Sequence, residues 1–497
     1  MNIAMILEMA ADTFADRVAV SDGQTSLTYA ALQQRALAAA ALVAGNGSRN
    51  TAILDVNSTA IPVALFGAAL AGTPYVPLNY RLAKDELDAL LSRVTPATLF
   101  TTAAAFAGLT APKGLIQAER GRLLAEDDIR HDLPASGEDG RDVAVQLFTS
   151  GTTAKPKAAI LRHENLMSYI LGTVEFASAD AEDAALISVP PYHIAGISAV
   201  LSSVYAGRRM VLLKNFEARA WLDICAAEKV TNAFVVPTML VRIVEELAHG
   251  EWDLSALRAI AFGGGKMPLR VIERAMELLP WVDFTNAYGL TETSSTICLL
   301  SPDDHRTAAA SYDPKVRRRL GSVGRAIGTV EIEIRDDDGA VVPSGSPGHV
   351  YVRGSQVAGE YLGIGSALDA DGWFPTRDRG ALDGDGFLFL DGRADDVIVR
   401  GGENISPGEI EDVLLKHPDI IDVAIVAVPD DYWGETIGAA IVTRDGTLIS
   451  TETVQEWVRT RLRSSRVPSI IQFRTELPYN DMGKLLRRVI RNEIGQA

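Results

Sequence analysis

The chain has 497 residues, 47% of them apolar and 22% charged, so it is too long for one ordinary core and lies outside the composition of disordered proteins. A net charge of −17 repels nucleic acid over most of the surface and leaves any polyanionic substrate to local basic clusters. The two cysteines, Cys225 and Cys298, lie among apolar residues, which excludes a disulfide framework and a cysteine metal site and reads as core filling.

In chain order, the opening MNIAMILEMAADTFADRVAV meets Asp12 and Asp16 early and reads as an amphipathic helix, not a signal peptide. Residues 36–44 continue as an Ala-rich helix ending at Gly45. The apolar stretch Thr59 to Val76 contains Pro and Gly and stops short of the roughly 20 apolar residues a bilayer span needs. A cytoplasmic protein without a membrane span, monomeric or homodimeric, is the expectation. From about residue 50 to 300, short apolar runs (TAILDV, AALISV, RMVLLK, NAFVVP, LRAIAFGGG) mostly alternate with helical stretches, which implies layered parallel βαβ units. After about residue 320 the pattern turns to short alternating strands, with Asp338-Gly339 closing a hairpin, and reads as a β-rich subdomain. Beyond it, Ser406-Pro407-Gly408-Glu409 reads as a capping box with Pro at the first helical position, followed by Ile410, Val413 and Leu414 on the apolar face. The expected fold is therefore α/β and α+β: a large N-terminal domain, residues 1–394, and a small mobile α+β domain, residues 395–497, joined within GRADDVIVRGG.

The segment Leu147-Phe148-Thr149-Ser150-Gly151-Thr152-Thr153-Ala154-Lys155-Pro156-Lys157 follows a strand-like run and packs four hydroxyl residues and two lysines around a glycine. Hydroxyls and backbone N–H groups donate to phosphate oxygens while Lys155 and Lys157 offset their charge, so the loop suits a polyphosphate. Its spacing is not that of the Walker loop.

This segment resembles the TSGTTGxPKG signature of the adenylate-forming superfamily of acyl-CoA synthetases, luciferases and peptide-synthetase adenylation domains, with Ala154 and Ala158 where that family usually has Gly. Four more segments match in the same order: Tyr288-Gly289-Leu290-Thr291-Glu292 after Asn286 and Ala287; Thr376-Arg377-Asp378, with Arg in place of Gly; Asp391-Gly392-Arg393 through Gly401-Gly402-Glu403-Asn404-Ile405; and Asn480-Asp481-Met482-Gly483-Lys484. The resemblance implies an enzyme that reacts a carboxylic acid with ATP to give an acyl-adenylate and passes the acyl group to a thiol.

It also implies roles. Glu292 is the Mg²⁺ ligand, with Thr149 helping through its hydroxyl or a water. Tyr288 faces the adenine, Gly263, Gly264 and Gly265 let backbone approach the opposite side of the ring, and Asn286 contacts the adenine amino group. Asp378 accepts from the ribose hydroxyls and Arg393 sits near the sugar or phosphates. Lys484 stabilises the charge built when the carboxylate attacks the α-phosphorus. Asp395 is the pivot on which the C-terminal domain turns between the two half-reactions, and the glycines Gly401 and Gly402, with Glu403, line the pantetheine path.

Pro190-Pro191-Tyr192-His193-Ile194-Ala195-Gly196 corresponds to the floor of the acyl pocket, with His193 as a gate and Tyr192 and Gly196 as lining. The segment has no Asp to pair with a substrate ammonium, which favours an acid other than an amino acid. GGENISPGEIE with GRADDVIV is similar to the aryl- and acyl-CoA ligases, including the halobenzoate:CoA ligases. No carrier-protein segment follows Lys484, so the expected acceptor is coenzyme A, with Arg81 at its phosphate and Trp433 over its nucleotide. A ligase that loads a separate acyl carrier protein, one that stops at the adenylate, and a degenerate binding relative are the alternatives.

Overall fold

The computed structural model describes residues 1–125, 139–149, 157–430, 432–444, 447, 449–480 and 483–495, apart from the side chain of Asn404. Two compact units divide the chain: one comprises Met1–Glu331 and Val352–Phe374, the other Ile332–Tyr351 and Pro375–Ala497. Asp395 lies inside the second unit, so the border between compact units does not coincide with the 394/395 joint expected from the sequence.

The first unit carries two large sheets. In one, the parallel strands Ala184–Ile187, Asn232–Val235, Ala259–Gly263 and Asp283–Leu290 lie side by side, with helices such as Pro237–Leu247 and Leu269–Leu278 as crossovers. Short apolar runs between amphipathic helices have this outcome because a parallel strand is covered on both faces. The other sheet places the strands Tyr75–Pro77, Asn50–Leu54 and Ala97–Thr101 in parallel and continues through the antiparallel pair Val143–Thr149 and Lys157–Arg162 to the short strand Glu360–Tyr361. The Ala-rich segment is part of the helix Tyr29–Gly45. Its small side chains admit the fully buried helix Ala60–Leu70 so closely that a Cβ at Gly67 would stand 2.7 Å from Ala39 Cβ. Cys225 and Cys298 are both buried, as expected of core residues.

The second unit begins with a four-stranded sheet in the order Glu331–Arg335, Gly348–Arg353, Phe374–Leu382, Leu388–Arg393. The Asp338-Gly339 turn is present, with Gly339 at φ +84° and its N–H donating to Asp336 O at 3.1 Å, and it closes a short hairpin whose one bridge pairs Arg335 with Val341. The long antiparallel pair Ile420–Asp430 and Gly434–Thr443 forms the centre of the last sheet, and Ile470–Arg474 adds in parallel. Both faces of this pair are buried. Val423, Ile425 and Ile437 pack with Ile410, Leu414, Val454 and Val458 on one side, and Ala424, Val426 and Val428 with Ile490 and Ile494 on the other. That double burial is why IDVAIVAVP is apolar at nearly every position.

The helix Pro407–Leu414 starts with Pro at its first position, as read from the sequence, but the capping box does not form. Ser406 Oγ instead donates to Asp391 O at 2.7 Å, and Glu409 pairs with Arg466 at 3.2 Å. A better tertiary partner has displaced the local one. Among the described residues, no helix is long and apolar enough to cross a membrane.

Candidate active site

The ends of the hydroxyl-rich loop are fixed by a β-ladder. Thr149 lies opposite Lys157, and its hydroxyl is 3.4 Å from Lys157 O. Ser150, Gly151, Thr152, Thr153, Ala154, Lys155 and Pro156 lie outside the described residues. Ala158 is buried in the ladder opposite Phe148, and its carbonyl accepts from Leu362 N–H at 2.9 Å. The ammonium of Lys157 stands 5.6 Å from the centroid of the Tyr361 ring.

Glu292 sits in the turn Thr291–Thr293 between the strands Asp283–Leu290 and Ser295–Leu300. The chain reverses there through Ser294 at φ +56° and Ser295 at φ +121°, and Gly289 has no room for a side chain because a Cβ would meet Ser295 O at 1.8 Å. Buried Thr293 accepts from Leu290 N–H at 2.9 Å and donates to Ser295 O at 2.8 Å. Gln356, fully buried, donates to Thr293 O and Thr296 O at 3.1 and 2.8 Å and accepts from the Thr329 hydroxyl at 2.7 Å. Ala358 N–H and Gly359 N–H donate to Glu292 O at 2.8 and 3.1 Å, while Tyr361 Oη donates to Glu292 Oε1 at 2.7 Å.

Upstream in the same strand, Ala287 pairs with Gly263, and a Cβ at Gly263 would stand 2.1 Å from Ala287 O. The absence of a side chain at Gly263 is thus demanded by its neighbouring strand; Gly264, exposed at φ +84°, and Gly265 make the turn beyond it. Asn286 Nδ2 donates to Ser322 O at 3.1 Å, which orients the amide oxygen as an acceptor. Tyr288 is half-buried opposite Cys298.

His193 caps the helix Ile194–Ala206 in extended backbone, with its ring 4.6 Å from that of Tyr192. Tyr192 is buried and meets Tyr80 edge-on at 5.5 Å. Gly196 is held to hydrogen by Pro190 O, 2.9 Å from where its Cβ would lie. The helix is tied to the Glu292 turn by the hydroxyls of Ser198 and Ser295, 3.2 Å apart. Arg81 is exposed, its guanidinium 5.5 Å from the Tyr80 ring.

In the second unit, Asp378 is buried opposite Arg393, whose Nε is 3.1 Å from Asp378 Oδ1 and whose Nη1 donates to Thr376 O at 3.0 Å. Arg377, between Thr376 and Asp378 in sequence, is exposed at φ +64°. The backbone there favours Gly, and this chain accepts strain to carry Arg. Lys484 ends a tight turn. Its N–H donates to Asn480 Oδ1 at 2.8 Å, its carbonyl accepts from Asn480 N–H at 2.9 Å, and Gly483 supplies φ +64°. Asp481 and Met482 lie outside the described residues. Asp395 and Asp396 share the turn Ala394–Asp396. Burial pushes the Asp396 carboxyl up against the opposing pull of Arg487, Lys484 and Arg393, and Arg487 Nε lies 3.6 Å from it.

Gly401 and Gly402 turn at φ +58° and +81°. Gly401 N–H donates to Trp433 O at 2.9 Å, and a Cβ there would press on the indole at 2.8 Å. Trp433 is itself part-exposed, with Tyr432 edge-on at 4.8 Å and the Arg400 guanidinium 5.5 Å over its ring. Glu403 pairs with Arg466, which holds its carboxyl below the usual range. Sequence reasoning missed Tyr361, Gln356, Tyr80 and Asp396. None lies at a position that the quoted motifs single out, and only the doubled acid in GRADDVIV marks one of them.

A family model described as AMP-binding enzyme matches residues 7–362, and its C-terminal domain model matches residues 409–484. The chain is 33% identical over 490 residues to a feruloyl-CoA synthase of Amycolatopsis sp, covering 96% of each, and 31% identical over 503 residues to an indoleacetate–CoA ligase of Aromatoleum aromaticum, covering 97% of this chain and 96% of that one. Its structure is similar to that of o-succinylbenzoate CoA synthetase from Bacillus subtilis in complex with an acyl-adenylate intermediate, with TM-score 0.84 at 28% identity over 98% of this chain and 97% of that one. A match of this extent, together with the five motifs in order, establishes that the chain belongs to the AMP-binding, adenylate-forming enzymes, the family that includes the aryl-CoA ligases.

Proposed function

We propose that this enzyme is an AMP-forming acid:CoA ligase acting on a small aryl-bearing carboxylic acid, making the acyl-adenylate from ATP and then the CoA thioester. The observation that carries the reading is the cluster of Lys157, Tyr361 and Glu292 at the end of the hydroxyl-rich loop, a cation and a hard-oxygen ligand beside a polyphosphate sequence. The carboxylate of Glu292 and the hydroxyl of Thr149 offer only oxygen, which fits Mg²⁺. When bound, that ion supplies charge neutralisation on the phosphates. Tyr288 and the amide oxygen of Asn286 serve the adenine, and Asp378, steadied by Arg393, serves the ribose.

Lys484 is the cation that bridges carboxylate and α-phosphate oxygens as charge develops. Its ammonium costs no reorganisation at the reacting centre when the turn behind it is already set. Asp395 is the pivot between the two half-reactions, with residues 395–497 as the moving domain. Gly401, Gly402 and Trp433 border the thiol path, and Arg81 contacts a CoA phosphate. An aryl acid is favoured because Tyr80, Tyr192 and His193 put three rings in contact at the expected acyl floor, and because the two sequence relatives are named for feruloyl and indoleacetate substrates.

The test is acid-dependent exchange of labelled pyrophosphate into ATP across aryl, branched and fatty acids, followed by addition of CoA or a holo acyl carrier protein. Exchange with an aryl acid and thioester formation with free CoA are expected. Exchange without acyl-CoA, but with acylated carrier protein, would overturn the acceptor and leave the adenylation chemistry standing.

A further inference from the structure

One short segment, residues 356–362, touches both the Glu292 turn and the strand that leaves the hydroxyl-rich loop in the first unit. Through Gln356 it holds the carbonyls of Thr293 and Thr296, and through the N–H groups of Ala358 and Gly359 it holds the carbonyl of Glu292. Its next two residues join the strand that leaves the hydroxyl-rich loop, with Glu360 opposite Ile160 and Tyr361 opposite Ala159. A bidentate pair of Arg162 with Glu360, both contacts at 2.9 Å, locks that register. Glu292 is thus gripped at both ends by one strap, its backbone by two amides and its carboxylate by the Tyr361 hydroxyl at 2.7 Å.

We propose that Tyr361 is a positioning residue, whose hydroxyl fixes the Glu292 carboxylate for the metal–nucleotide complex while its ring face places the Lys157 ammonium beside it. The proposal rests on the reading of Glu292 as a Mg²⁺ ligand. The Glu292 carboxylate has three side-chain torsions to lose on binding a metal, and a hydrogen bond from a ring fixed in a strand removes part of that freedom beforehand. The strap also makes the loop exit and the Glu292 turn one mechanical piece, so that cation and carboxylate keep their spacing when phosphates arrive.

The experiment uses the full chain and Mn²⁺ as the probe, with electron paramagnetic resonance reporting Mn²⁺ bound in the presence of ATP and no acid substrate. Tyr361→Phe keeps the ring for Lys157 and removes the hydroxyl; it should weaken Mn²⁺–ATP binding about tenfold and raise the Mg²⁺ needed for pyrophosphate exchange, with metal-free ATP binding and the circular dichroism unchanged. In the double variant with Glu292→Gln, the Tyr361→Phe loss should vanish, because the hydroxyl acts only through that carboxylate. Wild-type binding by Tyr361→Phe, or a loss that adds in full to that of Glu292→Gln, overturns the proposal alone. Wild-type Mn²⁺–ATP binding by Glu292→Gln overturns the metal assignment on which it rests.

Discussion

The Glu292 turn and the Lys484 turn both present one charged side chain, yet they are built in opposite ways. Glu292 is held by Ala358, Gly359 and Tyr361, more than 60 residues further along the chain, and the turn that carries it is held by the buried Gln356. Lys484 is exposed and rests on a turn closed within five residues by Asn480 and Gly483. A group that must fix a metal and a polyphosphate in one geometry profits from over-determination, since each lost degree of freedom is removed before the ligand arrives. A group that visits its substrate for one half-reaction needs only a firm local base, because its partners on arrival are the substrate's own anions. The same contrast appears in backbone strain: Ser294 and Ser295 are locked in by neighbours, whereas Arg377 holds its φ of +64° as the exposed residue between buried Thr376 and Asp378.

The largest effect should come from removing the mobile charge. Lys484→Ala is expected to slow adenylate formation by about two orders of magnitude or more while sparing transfer from preformed adenylate to CoA, read by pyrophosphate exchange and single-turnover thioester formation. Equal loss in both would erase the distinction between the two turns.

Acid should separate the two units next. His163 is buried, its Nδ1 accepts from Ile3 N–H at 3.3 Å, and burial pushes its imidazole down to about 4. The folded value lies below the ordinary one near 6.5, so the unfolded chain takes the proton first. The stabilisation is whole above about pH 6.5 and is lost as the pH falls toward 4, by up to about 3 kcal/mol. Asp396 in the second unit is shifted upward by burial, so acidification through its range favours the folded form there. Between pH 7 and about 4.5, protection from hydrogen exchange, taken relative to the intrinsic rate at each pH, should therefore fall in the helix His163–Thr173 before it does in the strands Ile420–Asp430 and Gly434–Thr443. Parallel loss in both would mean that His163 is not the acid-sensitive group.

The smallest effect concerns Arg377. Replacing it with Gly removes a left-handed strain of about 1 to 2 kcal/mol and adds back about 0.5 to 1 kcal/mol of chain entropy, so Arg377→Gly should stabilise the protein by no more than about 1.5 kcal/mol in urea unfolding. A destabilised variant would show that the guanidinium makes a contact worth more than the strain.

Local chemistry was legible from residue types alone. The alternation of apolar runs and helices gave the parallel layers and Pro407 marked its helix start, since each depends on hydrogen bonds or dihedrals within a few residues. The five ordered motifs carried the family for the same reason, as chemistry concentrated in short loops. What only the tertiary structure decided were the partnerships between distant segments. Ser406 bonds to Asp391 O in preference to its own helix, Gly263 is small for the sake of Ala287, and Tyr361 and Gln356 converge on the Glu292 turn. No spacing rule encodes such pairs, because they are fixed by how strands far apart in the chain fall into register, and buried polar groups then take the partner that register brings within reach.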